Sequence, residues 1–331
     1  MILAGDVGGT KTYLARFRTT GEDPGPPLDL EMLASASYPS FEAILDEYLK
    51  RHPGSIRAVG LGVAGAVVNR SVRVTSLPWT VGCDEVAARL SLRASRVHII
   101  NDLVATGHGL RALASEQLTS LQAGEPDEEA CAGLIAAGTG LGETILVRVG
   151  VTHLPVPSEG GHADFAARTD EELLVFRILR ERYGRVSWER VLSGPGLVAL
   201  GAIFHDDAGA SARWNEHTKE AGPGTPLAAI VSRYGMADDC PSCVRALRVF
   251  VGVYGAEAGN LALRAVARAG IYLAGGIAPK ILPALQGEVF LEPFRDKDHL
   301  RPLLSKIPVW VIRNELTGLL GAARYATVAE A

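Results

Sequence analysis

The sequence predicts an α/β protein of two domains, each built on a mixed sheet. Three observations carry that expectation. Up to residue 104 the apolar patterning reads strand, strand, helix, strand, helix, strand, and the first two strands form a hairpin, which a purely parallel sheet excludes. A second strand–glycine turn–strand unit recurs at residues 133–146 and suggests duplicated halves. At 331 residues the chain is long enough to bury two cores.

Composition narrows the function classes. An apolar content of 47% with 21% charged residues is that of a globular protein. A net charge of −4 offers no basic field, so neither nucleic acid nor an acidic membrane is an expected partner. The opening Met-Ile-Leu-Ala carries no basic leader, and no apolar run is long enough to span a bilayer, so a cytoplasmic enzyme is expected. Of Cys83, Cys131, Cys240 and Cys243, only the last two have a suggestive spacing. Zinc needs four ligands and no second pair follows, so reduced thiols are expected, with His205 and His217 facing solvent in the polar stretch upstream.

Residues 2–18 alternate around a tip, Gly5-Asp6-Val7-Gly8-Gly9-Thr10, where two glycines let backbone N–H groups converge on an anion. Asp6 at that tip suits Mg²⁺ held through water; a plain tight turn is the alternative. Residues 19–30 read as a loop, 40–51 as a helix with Phe41, Ile44, Leu45 and Leu49 on one face, and 58–64 as a buried strand. A short strand within 72–81 and a helix at 84–92 follow.

The strand 97–100 then ends in Asn101-Asp102, with a helix expected from Leu103 to Ala114. A carboxylate at the carboxyl end of an internal strand sits where open α/β sheets place ligands. Either residue could instead simply cap the helix, which is the commoner use of both types.

The second half opens after a polar loop at 122–127. Gly133 to Leu146 repeats the hairpin around Gly138-Thr139-Gly140-Leu141-Gly142, a second cradle for phosphate. Glu159-Gly160-Gly161-His162-Ala163-Asp164 displays acids and an imidazole on a glycine-hinged loop, suited to sugar hydroxyls or to solvent. A helix at 171–183 precedes Glu189 and a glycine turn at Gly194-Pro195-Gly196. Residues 205–226 read as an exposed excursion, 244–269 as a long core helix, and Leu273-Ala274-Gly275-Gly276 as a strand and turn open to a nucleoside, with a helix from about Pro279. A strand at 309–312 and a helix at 317–327 close the chain.

These six motifs in this order closely resemble the bacterial glucokinase family along nearly the whole chain. The resemblance implies the actin-like ATPase (ribonuclease H-like) fold, two α/β domains with a cleft between them, here residues 1–112 plus 314–331 and residues 113–313. It implies ATP-dependent phosphorylation of glucose on its 6-hydroxyl by a homodimer, with ATP and Mg²⁺ required. Asp102 would then be the base, with Asn101, Glu159, His162 and Glu189 holding the sugar. Gly5, Asp6, Val7, Gly8, Gly9 and Thr10, Gly138, Thr139 and Gly140, and Gly275 and Gly276 would hold the nucleotide, Asp6 towards Mg²⁺ through water. Lys11 departs from the family's usual asparagine and resembles the neighbouring sugar-kinase and repressor group, whose cysteine-rich zinc motif and N-terminal DNA-binding extension the sequence lacks. A kinase for mannose, fructose or glucosamine, polyphosphate as donor, and a non-catalytic sugar sensor of the same fold are the alternatives.

Overall fold

The computed structural model describes all residues except 21–22, 208–213, 215–217, 220–225 and 331. Contacts divide the chain into a unit of residues 1–117, 152–157 and 314–331 and a second unit of residues 118–151 and 158–313.

In the first unit, strand Ile2–Val7 is the hub of a five-stranded sheet. It pairs antiparallel with Lys11–Phe17, as the glycine-tipped alternation predicts, and parallel with Ala58–Val63, which pairs parallel with Val97–Asn101. Helix Phe41–Arg51 starts at Ser40, whose Oγ accepts from Ala43 N, and buries Phe41, Ile44, Leu45 and Tyr48. Helix Thr317–Ala329 covers the other face, where Gly318, Gly321, Ala322 and Ala326 give it a shallow side that lets it lie close to the sheet.

The second unit repeats the plan. Strands Ala132–Ala137 and Leu141–Val149 form an antiparallel hairpin, and the first of them pairs parallel with Gly270–Ala274, which pairs parallel with Val309–Ile312. The same hairpin-then-parallel topology in both halves bears out the duplication read from the two glycine turns. Helix Pro241–Ala265 is buried for most of its 25 residues, with Arg248 and Arg264 exposed. Proline at its first position suits a place where no N–H is needed. Its core contact is a chain of rings: Phe250 edge-on to Tyr254, Tyr254 edge-on to Phe290, and Phe290 stacked on Phe294.

Several expectations need correction. The loop assigned to residues 19–30 gives way to an edge strand, Leu28–Ala34, whose own side chains are mostly half-exposed. Its backbone pairing with Lys11–Phe17 and the Arg16 Nε donation to Asp29 (2.8 Å) hold it, neither of which leaves an apolar signature. Strands Leu118–Gln122 and Thr152–Val156 escaped the reading for the same reason. Gly194-Pro195-Gly196 is not a free turn but the start of helix Gly194–Asp207, with Ser193 Oγ accepting from Gly196 N at 3.1 Å. That helix carries His205 inward, buried and stacked on Trp214, so His205 does not face solvent; His217 lies outside the described residues. After Gly275-Gly276 the chain stays in turns, and helices run only from Leu282–Leu285 and Glu288–Arg295. Cys240 and Cys243 are buried free thiols.

Phe250 is fully buried at one end of the ring chain. Phe250→Ala is therefore expected to lower the unfolding free energy by about 3–5 kcal/mol, measured by urea denaturation. A loss below about 1 kcal/mol would show that the helix collapses into the space without cost.

Candidate active site

The register explains how two carboxylates come together in the first unit. Asp6 lies opposite Gly62 on one side, and Ile100 lies opposite Gly62 on the other, so Asp6 and Asp102 stand at the carboxyl ends of strands separated by a single intervening one. Asp6 is pushed up to about 7, first by burial and then by the charge of Asp102. The first turn of helix Thr317–Ala329 closes on the same carboxylate: a Cβ on Gly318 would stand 2.8 Å from Asp6 Oδ2. Only glycine brings the positive end of that helix so near.

Asn101 and Asp102 divide the two readings between them. Asn101 is the cap: its Oδ1 accepts from Leu103 N (2.9 Å) and Val104 N (3.2 Å), and its Nδ2 donates to Gly65 O (3.2 Å). Its amide thereby fixes the corner between strand and helix. Asp102 is the first residue of helix Asp102–Gly109, half-buried, with Oδ1 accepting from its neighbour's N–H at 2.9 Å.

The turn at Gly8-Gly9 is held from outside. Gly8 N donates to Lys11 O (3.0 Å), and Ser35 Oγ, itself bonded to Thr12, donates to Gly8 O (2.7 Å). Ser35 is a supporting residue the sequence offered no signal for, because it directly follows the edge strand Leu28–Ala34, which no apolar pattern announces. Lys11 points to an exposed ion pair with Glu315 at 3.7 Å, an acid that also accepts from Tyr13 Oη (3.0 Å).

In the second unit the turn at Gly138 closes through Gly138 N to Gly140 O (2.9 Å) and is tied down by Gly194 N to Gly138 O (2.8 Å). Gly275 packs against the same hairpin: its φ of +82° and the 2.4 Å that would separate its Cβ from Ala137 O exclude any other residue. Gly276 has nothing within contact distance of a Cβ and leaves the surface beside it open.

The loop 159–165 is a single 3₁₀ turn anchored at its far end. Arg185 donates to His162 O (3.0 and 2.9 Å) and to Asp164 Oδ1 (2.6 Å), Trp188 N donates to Ala163 O (3.0 Å), and Phe165 packs edge-on against the Trp188 ring. Anchoring the backbone leaves the polar side chains outward. His162 Nε2 is 3.9 Å from Glu159 Oε2, and His162 Nδ1 is 3.9 Å from Glu189 Oε1. Glu189 also accepts from Leu141 N at 3.0 Å, which ties this cluster to the Gly138–Gly142 hairpin. Of the residues singled out from sequence, Glu159, His162 and Glu189 thus meet in one place and Asp6 with Asp102 in another. Asp164, engaged with Arg185, is structural.

Behind the loop lies a group that no motif announced. Glu143 is buried and pushed up to about 8, chiefly by burial and next by Glu257, against the opposing pull of Arg264. Among the described residues no group of three or more His, Cys, Asp or Glu side chains could by itself hold a metal ion.

The family model described as Glucokinase matches residues 3–329. A glucokinase of Nostoc punctiforme is 36% identical over 98% of this chain and 98% of its own length. One of Shigella sonnei is 34% identical over 98% and 96%. Among solved structures, the glucokinase from an Antarctic psychrotroph superposes with a TM-score of 0.81 at 28% identity over 98% of both chains. A ROK family glucokinase from Streptomyces griseus, in complex with glucose and AMPPNP, superposes at 0.64 with 21% identity over 97% of each chain. The fold is the expected actin-like ATPase fold.

The raised pKa values of Glu143 and Asp6 make stability pH-dependent. Each carboxyl keeps its proton in the folded chain at pH values where the unfolded chain has lost it, so the folded state binds more protons and loses stability as pH rises. The melting temperature is expected to fall between pH 5 and about 8, where Glu143 ionises in the folded chain, and Glu143→Gln is expected to flatten that fall, leaving the share of Asp6. A melting profile unchanged by the substitution would show that Glu143 titrates normally.

Proposed function

The chain belongs to the glucokinase family, and we propose that it transfers the γ-phosphoryl group of ATP to the 6-hydroxyl of glucose with Asp102 as the base. The observation that supports this reading best is the half-buried Asp102 at a strand end, with Asn101 beside it spending its amide on the corner that aims it. Phosphoryl transfer asks for positioning and charge neutralisation more than for covalent chemistry. Asp102 would accept the hydroxyl proton as the oxygen attacks phosphorus. Glu159, His162 and Glu189 offer acceptors and a donor a few ångströms apart, the spacing that adjacent sugar hydroxyls need. Asn101 contributes to the sugar site by the resemblance, and its capping bonds make the orientation of Asp102 its first task.

The nucleotide falls to the two glycine turns, Gly5 to Thr10 and Gly138 to Gly140, with Gly275 and Gly276 at the nucleoside. Mg²⁺ enters as part of that substrate. Asp6 fits it: a hard carboxylate crowded by a second one carries a negative charge that a cation offsets. The cation would neutralise phosphate charge during transfer. The reading places the reaction in the cytoplasm at the entry of glucose into metabolism.

Asp102→Asn keeps size and removes the base, so turnover is expected to fall roughly 10²-fold or more while ATP binding persists. Turnover near wild type would remove Asp102 from the mechanism. Glu159→Gln and His162→Ala are expected to weaken glucose binding in calorimetry, Glu159→Gln by about 1.5–3 kcal/mol, the worth of a hydrogen bond to a charged group. Unchanged affinity in both would move the sugar elsewhere. A coupled assay across glucose, mannose, fructose and glucosamine, with ATP and polyphosphate as donors, is expected to favour glucose and ATP; equal turnover of another hexose would contradict the substrate assignment.

A further inference from the structure

Glu143 has no part in the chemistry above, yet its placement is costly. It is 1% exposed, its Oε1 has no hydrogen-bond partner among the described residues, and its Oε2 accepts from Arg264 Nη1 at 3.0 Å. Arg264 also pairs with Glu257 two helical turns away, and Glu257 accepts from Asn260 Nδ2 at 2.8 Å. Two buried acids share one guanidinium, an arrangement that a hydrophobic core of the same volume replaces without loss in many proteins.

What distinguishes this carboxyl is the backbone resting on it. A Cβ built on Gly160 would stand 2.6 Å from Glu143 Oε2 and 3.2 Å from its Cδ. Gly161 meets the same strand one contact earlier, its Cβ position 2.0 Å from Leu141 O. The turn Gly160–His162 therefore lies flat on the strand at two successive points. At the first of them the floor is a side chain that Arg264 holds and burial confines, so it has no room to swing aside. Gly160 has no left-handed φ, so nothing but that carboxyl and Ser158 Oγ, 3.2 Å from the same position, makes glycine necessary there.

We propose that Glu143 is a positioning residue for the sugar site: fixed by Arg264, its carboxyl is the floor that sets the height of the Gly160–His162 turn, and with it the places of Glu159 and His162. This rests on the reading of those two residues as sugar ligands. The strand that carries Glu143 begins at the phosphate hairpin, so one rigid element supports both substrates from beneath.

The test compares steady-state kinetics of Glu143→Gln, Glu143→Ala, Gly160→Ala and the double variant Glu143→Ala/Gly160→Ala, with Glu159→Gln alongside. Glu143→Gln keeps the shape of the floor and is expected to hold the glucose KM within about twofold. Glu143→Ala removes the floor and is expected to raise the glucose KM roughly tenfold, short of the roughly 10²-fold that a full 1 Å misplacement can cost, with the ATP KM unchanged. Gly160→Ala drives a methyl into the carboxyl and is expected to raise the glucose KM similarly. In the double variant the methyl fills the space that the carboxyl left, so its glucose KM is expected to lie closer to wild type than either single variant's.

A wild-type glucose KM in Glu143→Ala, equal damage from Glu143→Gln and Glu143→Ala, or multiplied effects in the double variant each overturn the proposal. Should Glu143→Ala not fold, Gly160→Ala decides: a wild-type KM there overturns it, since the methyl would have met no fixed group. A raised KM in Glu159→Gln with none in Glu143→Ala removes the role of Glu143 alone, whereas unchanged values in both remove the sugar-ligand reading and this one with it.

Discussion

Two carboxylates set at the ends of strands that flank a single intervening strand impose the central constraint on the first unit. Asp6 and Asp102 repel, and burial raises the cost, so Asp6 is held at about 7. Much of the surrounding structure makes that crowding tolerable. Gly62 separates the two strands without adding bulk, Gly318 admits the positive end of the last helix, and Asn101 takes most of the capping, sharing Leu103 N with Asp102 and holding Val104 N alone. A cation brought beside the two carboxylates would offset their repulsion and favour the ionised form of Asp6.

The second unit solves a different problem with the same topology. Its hairpin, its 159–162 turn and the residue Glu189 are tied to one another by short backbone contacts, with Glu189 bonded to Leu141 N and Gly194 to Gly138 O. Side chains that meet a sugar must point outward, so the precision has to come from beneath. Arg185 grips the far end of the turn and the Glu143–Arg264 pair lies under the near end. Loops are commonly mobile, and this one instead borrows the rigidity of the strand and of the long core helix beneath it.

The sequence displayed the glycine turns, Asn101-Asp102 and the polar loop plainly, because each breaks an apolar pattern with residues that serve no core. The repeated hairpin made the duplicated architecture readable as well. Strands Leu28–Ala34 and Leu118–Gln122 were not readable, since their stability comes from backbone pairing with partners distant in the chain. The division of labour between Asn101 and Asp102 was likewise hidden: both residues suit a cap, and only the bonds to Leu103, Val104 and Gly65 assign it. Nothing in the hairpin's sequence marks Glu143, and its burial depends on Glu257 and Arg264, more than a hundred residues on. His205 was misplaced because a glycine-proline-glycine run that reads as a turn is, with Ser193 as its cap, the start of a helix.

The most direct test of the account is the identity of the product. The purified protein, given glucose and MgATP, is expected to yield a phosphate monoester on the 6-hydroxyl, assigned by its phosphorus–proton couplings in ³¹P NMR, with ADP formed in equal amount. Release of inorganic phosphate without a sugar ester, or an ester on any other hydroxyl, would contradict the placement of Asp102 as the base for that oxygen.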